Sequence, residues 1–117
     1  MIVSGSAFMA NGVKAADPVV IHLDSALQGL DPTHVDATKH VIAVNGNVKS
    51  DTQARVVYTA ANKSATVRNL EATPWPEGCT VVVELDYAPT LDDDPNQFSP
   101  NDWLEIVKKA AAPAPAP

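Results

Sequence analysis

The run Thr73-Pro74-Trp75-Pro76-Glu77-Gly78, followed directly by Cys79-Thr80-Val81-Val82-Val83-Glu84-Leu85-Asp86-Tyr87, constrains this chain more than any other segment. Two prolines with fixed φ and a glycine bracket a tryptophan, so the backbone must turn there in a rigid corner. Beyond it the side chains alternate. Cys79, Val81, Val83, Leu85 and Tyr87 share one face, and Thr80, Glu84 and Asp86 share the other. A period of two with one apolar face predicts a strand half buried in a β-core. Cys79 is the only cysteine and lies on the apolar face, which makes it a small buried hydrophobe. It leaves no intrachain disulfide, and a cysteine-based zinc site would need several histidines to complete it.

The rest of the first 90 residues reads as more of the same. Asn11-Gly12 and Asn45-Gly46 each carry the signature of a type I′ hairpin turn, which needs positive φ at both central residues. The first predicts a hairpin between Ile2 to Met9 and Val13 to Ala15, and the second one between Lys39 to Val44 and a short strand around Val48. Pro18 precedes a further strand, Val19 to Leu23, with His22 turned away from Val19, Ile21 and Leu23. Gln53 to Thr59 and Ala65 to Leu70 flank Ala61-Asn62-Lys63-Ser64 as a third hairpin. Ser25 to Asp36 reads as a long loop with one helical turn. Seven or eight short strands at this spacing predict an all-β fold: a small antiparallel sandwich or barrel, jelly-roll-like or immunoglobulin-like. Apolar residues form 45% of the chain but aromatics only 5%, so aliphatic packing builds the core rather than an aromatic pocket.

After residue 90 the character changes. Residues 91–99 contain Asp92-Asp93-Asp94-Pro95-Asn96 and read as an acidic linker. Ser99-Pro100-Asn101-Asp102 then supplies an N-cap serine, a proline at the first helical position and an acid near it, which predicts a helix over 100–111. Its apolar stripe is Trp103, Ile106, Val107 and Ala110. A helix of about three turns does not persist undocked in water, so Trp103, Ile106 and Val107 are the expected interface residues. They can dock on their own β-domain or on a neighbouring subunit, and the flexible charged connection favours the neighbour. Residues 112–117, alternating Ala and Pro, read as an extended, disordered tail.

No set of residues predicts catalysis, a cofactor or a metal. Asp92, Asp94 and Asn96 match the first ligand spacings of a calcium loop, but Gln97 stands where glycine is needed and Trp103 where the bidentate glutamate is needed. A solvated acidic linker explains them better. His22, His34 and His40 could meet Asp24 or Asp36, yet no serine or cysteine sits in a nucleophile motif, and polar-face or loop histidines account for the pattern. Glu84 and Asp86 are neighbours on one strand face, not opposed across a substrate. Trp75 and Trp103 could form a sugar platform, but a proline corner and a helix stripe favour packing. A net charge of −6 with eight dispersed Lys and Arg argues against nucleic-acid and anionic-membrane partners. With no apolar run near the ~20 residues of a bilayer span and no basic leader flank, the chain reads as soluble and made in the cytoplasm.

From Ala65 to Tyr87 the chain resembles small structural proteins of tailed bacteriophages, in which a strand leads into a Trp-Pro-x-Gly corner and then a Val-rich strand. The matching residues are Thr66-Val67-Arg68-Asn69, Trp75-Pro76-Glu77-Gly78 and Thr80-Val81-Val82-Val83-Glu84-Leu85. Such patterns occur in capsid decoration (cement) proteins and other virion components. The resemblance implies a non-enzymatic β-domain, made in the host cytoplasm, that forms a dimer or trimer and clamps the major capsid protein on the outside of the expanded head. A carbohydrate-binding or adhesion sandwich is the alternative, and a small hydrolase with a histidine and carboxylate site is a third. An exposed aromatic platform would favour the second, and a cleft joining a histidine to an acid the third.

Overall fold

A computed structural model describes residues 1–111, so the Ala-Pro tail expected at 112–117 lies outside the described residues. Seven strands, β1 (Ile2–Phe8), β2 (Pro18–His22), β3 (Val35–Val44), β4 (Asn47–Lys49), β5 (Ala54–Thr59), β6 (Ser64–Asn69) and β7 (Thr80–Tyr87), are followed by one helix, α1 (Pro100–Ala111). They form two antiparallel sheets in the orders β1-β7-β3-β4 and β2-β6-β5. The sheets pack face to face as an open sandwich, not a closed barrel, with β1 over β2 and β3 over β5.

The alternation that predicts β7 is what fills the space between the sheets. Cys79, Val81, Val83, Leu85 and Tyr87 are all buried, and they meet Val19, Ile21, Leu23, Ala65 and Val67 from the other sheet within one core. β7 is a central strand, paired with β1 on one side and β3 on the other. Trp75 is only 2% exposed. Its indole N–H donates to Glu71 Oε2 at 2.7 Å, and Lys49 Nζ reaches the same oxygen at 2.9 Å. The corner is therefore a plug of the core with its one polar atom satisfied, as a buried indole requires.

Only one of the two Asn-Gly pairs makes a hairpin. Asn45 and Gly46 have φ of 51° and 82° and close the two-residue turn between β3 and β4, with Val44 opposite Asn47. Asn11-Gly12 does not: neither residue has positive φ, and β1 pairs with β7 rather than with Val13 to Ala15. Residues 9–17 instead cross from one sheet to the other. The glycine is needed for close approach, because a Cβ on Gly12 would lie 2.8 Å from the carbonyl oxygen of Trp75. Asn69, fully buried, fastens this crossing to the corner. Its amide donates to Val13 O at 2.9 Å and to Thr73 O at 3.2 Å, and its Oδ1 accepts from Glu71 N at 2.8 Å. The crossing also holds Ala16 at φ 70°, in the left-handed region that a side chain disfavours.

The expected third hairpin, β5 to β6, forms through a 3₁₀ turn at Ala60–Asn62 and a left-handed Lys63. The loop from Ser25 ends earlier than expected. A 3₁₀ turn occupies Pro32–His34, capped by Asp31, and β3 already begins at Val35. Val35 and Asp36 pair with Tyr87 and Asp86, three residues then bulge, and pairing resumes at His40 opposite Leu85. A bulge of this kind breaks the alternation and hides the strand from a periodicity reading.

Candidate functional site

The end of β7 is where the segment between Tyr87 and α1 is fastened to the sandwich. The phenol of Tyr87 donates to Asp93 Oδ1 at 2.8 Å and accepts from Asp31 N at 2.9 Å. Asp93 Oδ1 also accepts from Asp31 N at 3.3 Å. Its Oδ2 accepts from Thr90 N at 2.8 Å and from Thr90 Oγ1 at 3.4 Å. Asp93 is only 6% exposed, so the acidic run is not uniformly solvated. This corrects the expectation of a plain linker. The physical reason is a set of donors brought from residues 31, 87 and 90, which stabilise a buried carboxylate that sequence proximity does not reveal.

Burial alone would push the Asp93 carboxyl above its usual range. The donated hydrogen bonds from Thr90, Tyr87 and Asp31, with His34 nearby, outweigh it and hold the carboxyl below the usual range. The Tyr87 phenol is pushed well above its ordinary value, first by burial and then by the bond to Asp93.

His34 joins the same cluster, with Nδ1 3.6 Å from Asp93 Oδ2 and Nε2 3.4 Å from Asp31 Oδ2. The sequence suggested Asp24 or Asp36 as its acid, and the fold supplies Asp31 and Asp93 instead. Both ring nitrogens face carboxylates, and among the described residues neither is hydrogen-bonded to a hydroxyl that could serve as a nucleophile. The hydroxyls of Thr33 and Thr90 both donate to carboxylates, at 2.7 Å and 3.4 Å. The arrangement can hold two segments together. His40 is similarly spent, with Nδ1 2.9 Å from Ala37 O in the bulge and Nε2 3.4 Å from Asp51. His22 lies exposed on the outer side of β2.

The helix docks through an aromatic series. His34 and Tyr87 have ring centroids 6.0 Å apart, Tyr87 and Phe98 6.0 Å, and Phe98 and Trp103 6.4 Å in a stacked arrangement. Of the three stripe residues, Ile106 is 4% exposed and covered within its own chain, Trp103 is half-buried, and Val107 is 42% exposed. Leu104, at 63% exposure, adds an apolar side chain that the stripe did not include. Beside α1 lies an open recess of about 450 Å³ lined by His34, Pro89, Leu91, Ile106 and Lys109 among others. Ser99 caps the helix as expected, with its Oγ accepting from Asp102 N at 3.3 Å.

Asp94 accepts from Asn96 N at 3.0 Å and caps a 3₁₀ turn at Pro95–Gln97, so this side chain organises its own loop. Among the described residues no three His, Cys, Asp or Glu side chains converge as metal ligands. No helix among them is long and apolar enough to cross a membrane. No family model matches the chain, and no curated protein or solved structure matches it significantly.

Proposed function

We propose that this protein is a structural component of a tailed-phage virion, a capsid decoration protein that binds the assembled head and stabilises it across joints between major capsid subunits. The observation that carries the reading is the placement of the Ala65 to Tyr87 block, on which the resemblance to such proteins rests. It supplies β6, the Trp75 plug and the central strand β7, and so forms the middle of the domain rather than an appendage. Binding an assembled shell in preference to free subunits stabilises the shell by mass action and needs no chemistry. The protein then acts on the capsid surface after synthesis in the host cytoplasm, as a dimer or trimer, with Trp103, Val107 and Leu104 as the helix residues left to meet a neighbour.

The strand order supports the immunoglobulin-like form of the sandwich over the jelly roll. β2-β6-β5 follows the B-E-D order of such domains and β7-β3-β4 the F-C-C′ order, with β1 beside β7 in the position of the last strand. The adhesion alternative is less favoured at Trp75, which is buried, and is left with Trp103, half-buried and stacked on Phe98.

Co-sedimentation tests the function. The purified protein is mixed with expanded shells assembled from tailed-phage major capsid protein. Saturable binding at a fixed ratio to capsid subunits is expected. Failure to bind, or a neighbouring glycosidase gene with binding to a glycan instead, would overturn the reading.

A further inference from the structure

Two cross-strand pairs, on opposite outer faces of the sandwich, set like charges directly against one another, which costs a sheet stability. On the outer face of β2-β6-β5, Arg55 stands opposite Arg68, both exposed. Neither forms an ion pair among the described residues, although Arg68 donates to Ala16 O at 2.6 Å. On the outer face of β1-β7-β3-β4, Asp36 stands opposite Asp86, with Glu84 two residues before Asp86 on the same face. The amino group of Met1 lies 3.9 Å from Asp86, and Asp36 is hydrogen-bonded by Thr38 with Lys39 nearby. Glu84 has no ion-pair partner among the described residues.

The rows beside these charges also correspond. Two residues along from the arginines, Val20, Thr66 and Val57 form one uncharged row, and both valines are about half exposed. Two residues along from Glu84, Ser6, Val82, Ala43 and Val48 form another, with Val48 69% exposed. Two residues along a strand span roughly 7 Å on either sheet. With the strands of the two copies aligned, setting the Arg55–Arg68 row over the Glu84 row, with Asp86 one row further out, brings the two uncharged rows together.

We propose that the acidic outer face of one copy docks on the arginine-bearing outer face of a second, so that copies stack head to tail. Each face carries what the other lacks, and the contact relieves a like-charge repulsion on both. This goes beyond the virion role, because the partner is a second copy of the same chain and no capsid is needed. The contact is heterologous, so it propagates unless a rotation closes it. Three strands by about five residues give a footprint of roughly 14 by 17 Å. That is well under the ~1,200 Å² total of a stable interface, so stacking is weak in solution and strengthens where copies are held side by side.

Sedimentation velocity of the full chain over a wide concentration range at low salt tests it, with three samples. Arg55→Glu with Arg68→Glu is one variant, Glu84→Lys with Asp86→Lys is the other, and the third is their equimolar mixture. The wild type is expected to show a sedimentation coefficient that rises with concentration and falls back with added salt. Each variant alone is expected to lose this concentration dependence, and the mixture to regain it, because one variant's lysines then face the other's glutamates. Circular dichroism checks that the substitutions, at exposed Arg55, Arg68 and Glu84 and at half-buried Asp86, leave the fold intact. A wild type whose sedimentation coefficient does not rise with concentration, variants that associate as the wild type does, or a mixture that shows no rise would overturn the proposal.

Discussion

The hydroxyl of Tyr87, the last residue of β7, donates a 2.8 Å hydrogen bond to Asp93, and both side chains are almost wholly out of solvent. That bond converts the segment after the sandwich from a free linker into a docked one, because Asp93 draws in Thr90 and Asp31 at the same time.

Tyr87→Phe deletes the hydroxyl and leaves a buried carboxylate short of one donor. A loss of about 1–3 kcal/mol is expected, read from the midpoint of urea unfolding. An unchanged midpoint would show that Asp93 is solvated in solution.

The acid limb of stability is expected to depend on Asp93. Its carboxyl is held below the ordinary range in the fold, so its contribution is complete above the unfolded value near pH ~4 and is lost as pH falls through the lower folded value. Asp93→Asn is expected to be less stable at neutral pH and to show a shallower decline in acid, measured by denaturation at a series of pH values. At the alkaline end, both tyrosines are raised, Tyr58 by burial and then by Asp24 and Asp31, and Tyr87 by burial and then by Asp93. Stability from a raised phenol is complete below its unfolded value near ~10 and declines as pH rises toward the folded value. Absorbance of tyrosinate is expected to appear only together with unfolding, and a phenol titrating freely near ~10 in the folded protein would contradict this.

Trp75→Ala is expected to cost roughly 3–5 kcal/mol, since it opens a core cavity and strips Glu71 of its indole donor. Trp75→Phe keeps most of the volume and is expected to lose less. A midpoint unchanged by the alanine variant, with lost binding to a sugar, would return the corner to the role of a platform.

Two backbone substitutions in the crossing have opposite expected signs. Ala16→Gly removes a left-handed penalty of ~1–2 kcal/mol and adds unfolded-chain entropy of ~0.5–1 kcal/mol, for a small net gain. Gly12→Ala places a methyl group 2.8 Å from the Trp75 carbonyl and is expected to cost about 1–3 kcal/mol. Thermal melts of the pair decide it.

What the sequence reveals here is what has a short-range cause. β7 is legible because one face is buried along its whole length, and Asn45-Gly46 because its turn is set by two residues. Asn11-Gly12 carries the same letters, but its glycine answers to the Trp75 carbonyl, more than 60 positions away. Asp93 is hidden for the same reason: nothing in a run of three aspartates marks the middle one until Tyr87, Asp31 and Thr90 converge on it. The helix is legible through Ser99, Pro100 and its stripe, whereas the surface that covers Ile106 is set by tertiary packing alone.

Removing residues after Thr90 discards Asp93, Phe98 and Ile106 together. The sandwich is expected to unfold at a lower midpoint than the full chain, because Tyr87 loses both its acceptor and its aromatic neighbour. Equal midpoints would mean that the helix belongs to a neighbouring subunit.

The most direct measurement of the proposed function is electron cryomicroscopy of shells assembled from tailed-phage major capsid protein, with and without this chain. The expected difference is ordered density on the outer surface at regular lattice positions, into which the seven-stranded sandwich fits. Identical maps with and without the protein, or its density confined to the tail, would contradict the decoration role.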